Sequence, residues 1–410
     1  MIAVGALVVA AAVGGLVRVD DPQEPVELLD QQPTERADNP PADTLPRQES
    51  VALDVAALDV AVPIRVLALR NTSLAIVDLF TGESTTYPPG AHGLPRDAID
   101  GATLLSDGTV VVWQQGTVRA FPQGLGNPPV VHTPAELVNP SWAAPAVQVM
   151  PTADERALWV VQSGSCCPDD IPGLAELIDL DTGAVVATAE LPANSFPVAT
   201  TARGLVLNTH RFTDTGDGWQ SEKGSHHTLL ITDGGMVTRF ASGAALATSS
   251  GAVALLTCQD HERRHDCLLD LVDIDTGGRQ RVHAPADGEW TGLNGPDVPA
   301  SVAPWSATAP DGRILVGLTP RGQRRGGDLV RQDGDDSKLP EAQLIAIEPA
   351  TATASTLHRF DGWPLPAAWD QRGEHIVLSD GPHLTVLDTG GSSVTLHDVI
   401  PAQHDVVGMR

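Results

Sequence analysis

His261-Glu262-Arg263-Arg264-His265 is the stretch of this chain that most resembles a catalytic motif. On a helix, H-E-x-x-H sets two imidazoles on one face for zinc and offers Glu262 as general base. Glu289 follows at a distance that suits a third ligand. The flanking residues do not support a helix, because Ala252 to Leu256 and Leu268 to Ile274 read as strands. A helix would also hold Cys258 and Cys267 about 13 Å apart along its axis, beyond the reach of a disulfide. A strand hairpin lets them meet. We therefore expect a Cys258–Cys267 bridge at the base of a polar loop carrying His261 and His265, and no metal. Cys166 and Cys167 are adjacent, and form either a vicinal disulfide or a free pair.

Other candidate groups weaken in the same way. Asp214 to Gly218 and Asp333 to Asp336 are oxygen-rich and bent by glycine. Neither has the spaced ligands and distal bidentate glutamate of a calcium loop, so both read as solvated turns. Arg321, Arg324, Arg325 and Arg331 make a positive patch, interleaved with Asp328, Asp333, Asp335 and Asp336. No phosphate-binding loop, G-x-S-x-G elbow or dinucleotide fingerprint is present. The expectation is no catalytic residue, no cofactor and no metal.

The elements that must hold these residues are strands. From about residue 51 the chain alternates in short segments punctuated by turn residues, the mark of an all-β fold. One phrase recurs: Leu74 to Gly82, Glu176 to Gly183, Leu271 to Gly277 and Leu384 to Gly390. Each is a strand entering a tight turn, where Asp and Thr bond the local backbone and Gly supplies positive φ. Degenerate copies stand at Trp113 to Gly116, Thr232 to Gly235 and Ile347 to Ala350. Seven hairpins at a mean step of (390 − 82)/6, about 51 residues, match the period of a β-propeller blade. We expect seven four-stranded blades over residues 51–410.

Two segments carry a family resemblance. Trp305-Ser306 followed by Pro310-Asp311-Gly312-Arg313-Ile314-Leu315-Val316 resembles the W-S-P-D-G-x-x-I repeat of TolB-like, WD40-like propellers. Trp369 to Ser379 is a looser copy. The first inserts Ala307 to Ala309, the second lacks Pro-Asp, and two blades of seven carry the pattern. The resemblance implies the fold and a habit of binding proteins or gating neighbouring catalytic domains.

In a four-stranded meander, successive connections alternate between the two ends of the sheet. The Asp-Thr-Gly turns, read as joining third to fourth strands, mark one face. Second-to-third connections mark the other, and they differ around the ring. They are short in blade one (Asn71-Thr72), blade two (Ser106 to Thr109) and blade seven (Ser379 to Pro382). In blades three to six they run long and structureless, at about 163–174, 209–227, 257–267 and 319–342. These long loops hold all four cysteines, Trp219, His261, His265 and the arginine patch, which marks them as a binding face.

The N-terminus points to a compartment. Met1 to Val17 is continuously apolar, about 25 Å of helix, suited to a membrane anchor or signal segment over residues 1–19. Residues 20–50 hold nine acids, two arginines and six prolines, and read as a disordered spacer. A net charge of −27 excludes nucleic acid as a partner. The whole reads as an extracytoplasmic, membrane-tethered or secreted monomer that binds a protein or glycan. The alternative is a carbohydrate hydrolase or lyase with paired carboxylates at the central pore.

Overall fold

The computed structural model describes residues 47–50, 65–70, 72–79, 83–114, 116–135, 147–164, 171–209, 212–214, 219–221, 226–249, 251–258, 267–283, 306–308, 312–318, 322–325, 328–331, 341–361, 365–369, 375–380, 383–388, 393–396 and 405–409. The fold is all-β. Sheet one takes β1 (Arg47–Ser50), β2 (Arg65–Arg70), β3 (Ser73–Asp78) and β4 (Glu83–Tyr87). Sheet two has β5 (Gly101–Leu104), β6 (Val110–Gln114), β7 (Thr117–Phe121) and β8 (Val130–His132). Sheet three has β9 (Val147–Pro151), β10 (Ala157–Gln162), β11 (Gly173–Asp179) and β12 (Val185–Leu191). Sheet four comprises β13 (Ser195–Thr201), β14 (Gly204–Thr209), β17 (His227–Ile231) and β18 (Val237–Ser242), with a ribbon of β15 (Phe212–Asp214) and β16 (Trp219–Ser221) between.

Sheet five has β19 (Ala244–Thr248), β20 (Ala252–Cys258), β21 (Cys267–Asp273) and β22 (Arg279–Val282). Sheet six comprises β23 (Ser306–Thr308), β24 (Ile314–Leu318), β27 (Glu341–Glu348) and β28 (Thr353–Asp361), with a second ribbon of β25 (Gly322–Arg325) and β26 (Asp328–Arg331). Sheet seven has β29 (Leu365–Trp369), β30 (His375–Asp380), β31 (His383–Asp388) and β32 (Ser393–Leu396). The last strand, β33 (Asp405–Met409), returns to sheet one and pairs with β2, giving the order β1-β4-β3-β2-β33.

Each sheet is an antiparallel meander buried on both faces. This explains why β10 reads Ala-Leu-Trp-Val-Val-Gln without polar alternation. Trp159 and Val161 pack toward sheet four with Leu205 and Leu229. Leu158 and Val160, pointing the opposite way, pack with Val111 and Val118 of sheet two. Similar seams join sheets one and two (Leu67, Phe121), four and five (Val206, Val253), five and six (Leu271, Ile345), and six and seven (Leu315, Ile376). β29 of sheet seven lies beside β33, so the order of sheets closes on itself. Each fully buried Leu or Val in these seams contributes roughly 1.5–3 kcal/mol.

The two ends of the sheets differ. What we term the turn face carries first-to-second and third-to-fourth connections, and the loop face carries the rest. On the turn face, Asp179 accepts hydrogen bonds from the N–H and hydroxyl of Thr182 (2.8 and 2.6 Å), and Asp273 does the same with Thr276 (2.7 and 2.8 Å). Gly183 and Gly277 both sit at φ 69°, where a side chain is strained. The repeated phrase is thus a repeated turn.

Three sequence expectations need correction. Trp113 to Gly116 joins β6 to β7, a second-to-third connection, so it lies on the loop face. Ser106 to Thr109 joins β5 to β6 and lies on the turn face. The short loop-face link of sheet two is therefore Gln115-Gly116. The long connections of sheets four and six are not structureless, because each contains a two-stranded ribbon. Arg47 to Ser50, which composition places in the spacer, pair with β4 and supply its outer edge with backbone partners. Among the described residues no helix is long and apolar enough to cross a membrane, and Met1 to Val17 lie outside them.

Candidate binding face

Four second-to-third connections leave the loop face from sheets three to six, between β10 and β11, β14 and β17, β20 and β21, and β24 and β27. Their roots are fastened by buried polar side chains. At the end of β10, Ser163 Oγ donates to the Ser195 carbonyl at 2.8 Å, and Gln162 Nε2 donates to the Ala135 carbonyl at 2.9 Å. At the end of β14, Asn208 Nδ2 donates to the Ala245 carbonyl (2.8 Å) and its Oδ1 accepts from the Ala245 N–H (2.7 Å). That reciprocal pair locks sheet four to the innermost strand of sheet five. Beside it, the Thr228 hydroxyl donates to the Gly243 carbonyl at 3.1 Å.

Two carboxylates are buried beneath these loops at equivalent positions. Glu176 on β11 and Asp270 on β21 each stand seven residues before a turn glycine, 183 − 176 and 277 − 270. Glu176 Oε2 lies 3.1 Å from His132 Nε2, with side chains 7% and 11% exposed, and its carboxylate also accepts from the Ala135 N–H. Asp270 Oδ1 accepts from Arg281 Nε at 2.5 Å. A buried carboxylate without such partners would cost several kcal/mol. These acids are engaged in holding strands together. Glu176 ties sheet three to the outer strand of sheet two, whereas Asp270 ties β21 to its own outer strand.

The innermost strands bear on chemistry at the ring centre. Across β5, β9, β13, β19, β23, β29 and β33 the residues are Gly, Ala, Ser, Thr, Val and other uncharged types, and Asp405 is the single ionisable one. A two-carboxylate glycosidic mechanism needs a facing pair, and these strands do not supply it.

The backbone places part of the expected site. Cys258 and Cys267 are direct partners at the end of the β20–β21 ladder. Trp219 opens β16, opposite Asp214 in the first ribbon. Arg324 and Arg325 lie on β25 and Arg331 on β26, opposite Gly322 in the second ribbon. The two ribbons thus occupy corresponding places in sheets four and six and carry the tryptophan and the arginines. Arg321, His261, His265, Cys166, Cys167 and Glu289 lie outside the described residues. No cluster of three or more metal-ligating side chains occurs among the described residues.

Sequence reasoning missed Glu176, His132, Asp270, Arg281 and Asn208. A signal was present. Glu176 interrupts Leu174-Ala175-Glu176-Leu177-Ile178, and Asp270 interrupts Leu268-Leu269-Asp270-Leu271, each an acid in a run otherwise made for burial.

No protein-family profile matches the chain, and no curated protein matches its sequence. Solved structures resemble it at the level of fold. An acylaminoacyl peptidase bound to a chloromethyl ketone shares 12% identity, over 82% of this chain and 50% of that one, with a TM-score of 0.51. The acylaminoacyl peptidase of Pyrococcus horikoshii gives 12% identity, the same coverage and a TM-score of 0.50. TolB from Acinetobacter baumannii gives 12% identity over 90% of this chain and 88% of its own, with a TM-score of 0.39. The chain spans about half the length of the two peptidases. The shared feature is the propeller-type arrangement of sheets, in keeping with the TolB-like resemblance of the Trp305 and Trp369 segments.

Proposed function

We propose that this chain is a seven-bladed β-propeller that works outside the cytoplasm, behind an N-terminal anchor or signal segment, as a monomeric binding module. The partner is a protein or a glycan, and it is engaged through the loop face of sheets three to six. One observation carries the reading: four consecutive sheets replace a two-residue link with connections of eight or more residues on the same face, and two of these fold into ribbons. A disulfide between Cys258 and Cys267 would pin the third of these connections at its root. Trp219 offers an apolar anchor, and the arginines of the second ribbon offer anionic groups a cationic contact in an acidic protein.

The test replaces solvent-side residues of the four connections with alanine, one connection at a time. Capture is then measured with a glycan array and with a surface-protein extract of the source cells. Loss of capture with Tm unchanged within about 2 °C is the expected outcome, since surface substitutions cost little. Capture that survives all four sets, or that is lost on changing only turn-face residues, overturns the reading.

A further inference from the structure

All the large apolar side chains that stand exposed among the described residues lie on the outer rim of sheets two to four. They are Val131 (52%), Val185 (44%), Val186 (60%), Met236 (63%) and Val237 (36%). They are neighbours in space as well as in order. A methyl group at Gly183, in the turn leading into β12, would meet Val130 of β8 at 2.9 Å. One at Gly235, leading into β18, would meet the Thr188 carbonyl of β12 at 2.6 Å. β12 is therefore the centre of a continuous apolar stretch.

It is also an undefended sheet edge. Proteins protect outermost strands with cations, proline, short length or a covering segment. Here β4 is covered by β1, β8 is three residues long and β32 four, β18 carries Arg239, β22 carries Arg279 and Arg281, and β28 carries Arg359. β12 is seven residues of Val-Val-Ala-Thr-Ala-Glu-Leu, ends its sheet, and has none of these protections.

The charge around it has one sign. Residues 157–202, which include β10 to β12, contain six acids and no Lys, Arg or His. Of these acids, Glu176 is engaged by His132, while Asp181 and Glu190 stand exposed at the two ends of β12. Sheet one shows that a rim edge of this fold accepts an added antiparallel strand, in the β1–β4 pairing.

We infer that the outer edge of β12 binds an extended cationic peptide segment of another protein by strand addition. Backbone hydrogen bonds to the edge supply affinity, and alternate apolar side chains cover Val185 and Val186. Flanking lysines or arginines meet Asp181 and Glu190. The site is separate from the loop face, so alanine variants of the four long connections should leave it intact.

The probe is a labelled eight-residue peptide alternating valine and lysine, titrated into the full chain and followed by fluorescence anisotropy. Saturable binding is expected, weakened at least about tenfold by Val186→Lys and by raising salt from about 50 to 500 mM. The fully N-methylated peptide, which keeps charge and apolar content but cannot pair, should not bind. Val186→Thr, a milder change at an exposed position, should weaken binding less and controls for misfolding. Equal binding of a valine–glutamate peptide or of the N-methylated peptide overturns the inference, as does no saturation at millimolar peptide. Self-association of the chain in sedimentation that Val186→Lys abolishes would assign the edge to a second copy, and would equally overturn it.

Discussion

The turn face and the loop face are built from the same strands and follow opposite rules. On the turn face the connections are short and each reaches its neighbour. Glu155 of sheet three accepts the Ser106 N–H of sheet two at 2.6 Å, and the Thr200 hydroxyl of sheet four donates to the Pro151 carbonyl of sheet three at 2.7 Å. Arg203 of sheet four pairs with Asp275 of sheet five. Burial, aided by the charge of Asp154, pushes the Asp233 carboxyl above its ordinary range, a sign of how closely these turns sit. On the loop face, fastening stops at the roots: Gln162, Ser163, Asn208, Glu176 and Asp270 secure the strand ends. Beyond them the connections vary from two residues to more than twenty. A ring of sheets needs one end held so that the other is free to change.

The change that should matter most removes what both faces share. A chain stopped after His404 lacks β33 and leaves sheet one without its innermost strand. Calorimetry should show a fall in Tm of roughly 10 °C or more, or loss of a single cooperative transition. A truncated chain that melts like the full one would mean that the ring does not depend on closure.

A smaller effect should separate the faces. Gly204 in the β13–β14 turn sits at φ 128°, and a methyl there would run into the Ile231 carbonyl. Gly204→Ala should destabilise by about 2–4 kcal/mol in denaturant melts, because strain and overlap add. Alanine changes on the long loop-face connections should stay within about 0.5 kcal/mol each. If the two classes cost the same, the contrast between the faces is one of length alone.

The smallest effect tests the repeated turn itself. Hydrogen bonds from Thr182 hold the Asp179 carboxyl below its ordinary range, and those from Thr276 do the same for Asp273. A carboxylate with a depressed folded pKa adds stability that is fully present above the unfolded value and is lost as pH falls through the folded one. Asp179→Asn with Asp273→Asn should therefore lower Tm by a degree or two at pH 7. The difference from the parent should shrink below about pH 4. A difference that persists unchanged into acid would assign the effect to shape and not to charge.

What could be read from the residues was the repeat, because its turn chemistry is local. Asp179, Thr182 and Gly183 act within five positions of one another, and the spacing of their copies pointed to sheets in series. Strand index was less legible. Gly116 supplies positive φ at a tight turn as Gly183 does, so the Trp113 to Gly116 hairpin looked like the others while facing the opposite end. The root-fastening polar groups were illegible for a different reason. Glu176 meets a histidine 44 residues earlier, and Asn208 meets a backbone 37 residues later. No local pattern announces partners that only the stacking of sheets brings together. Among the candidate site residues, the facing of Cys258 and Cys267 followed from strand alternation alone.

The pairing of β33 with β2 has a consequence in time. During synthesis, sheets two to seven receive all their strands in order, while sheet one waits with β2 exposed from an early stage. A chain halted anywhere before Asp405 keeps an open ring with two unpaired edges and the apolar seam between sheets seven and one uncovered. Closure thus acts as a check on completeness, made at the last few residues. A quality-control protease that recognises open strand edges would distinguish finished from unfinished copies at that one sheet.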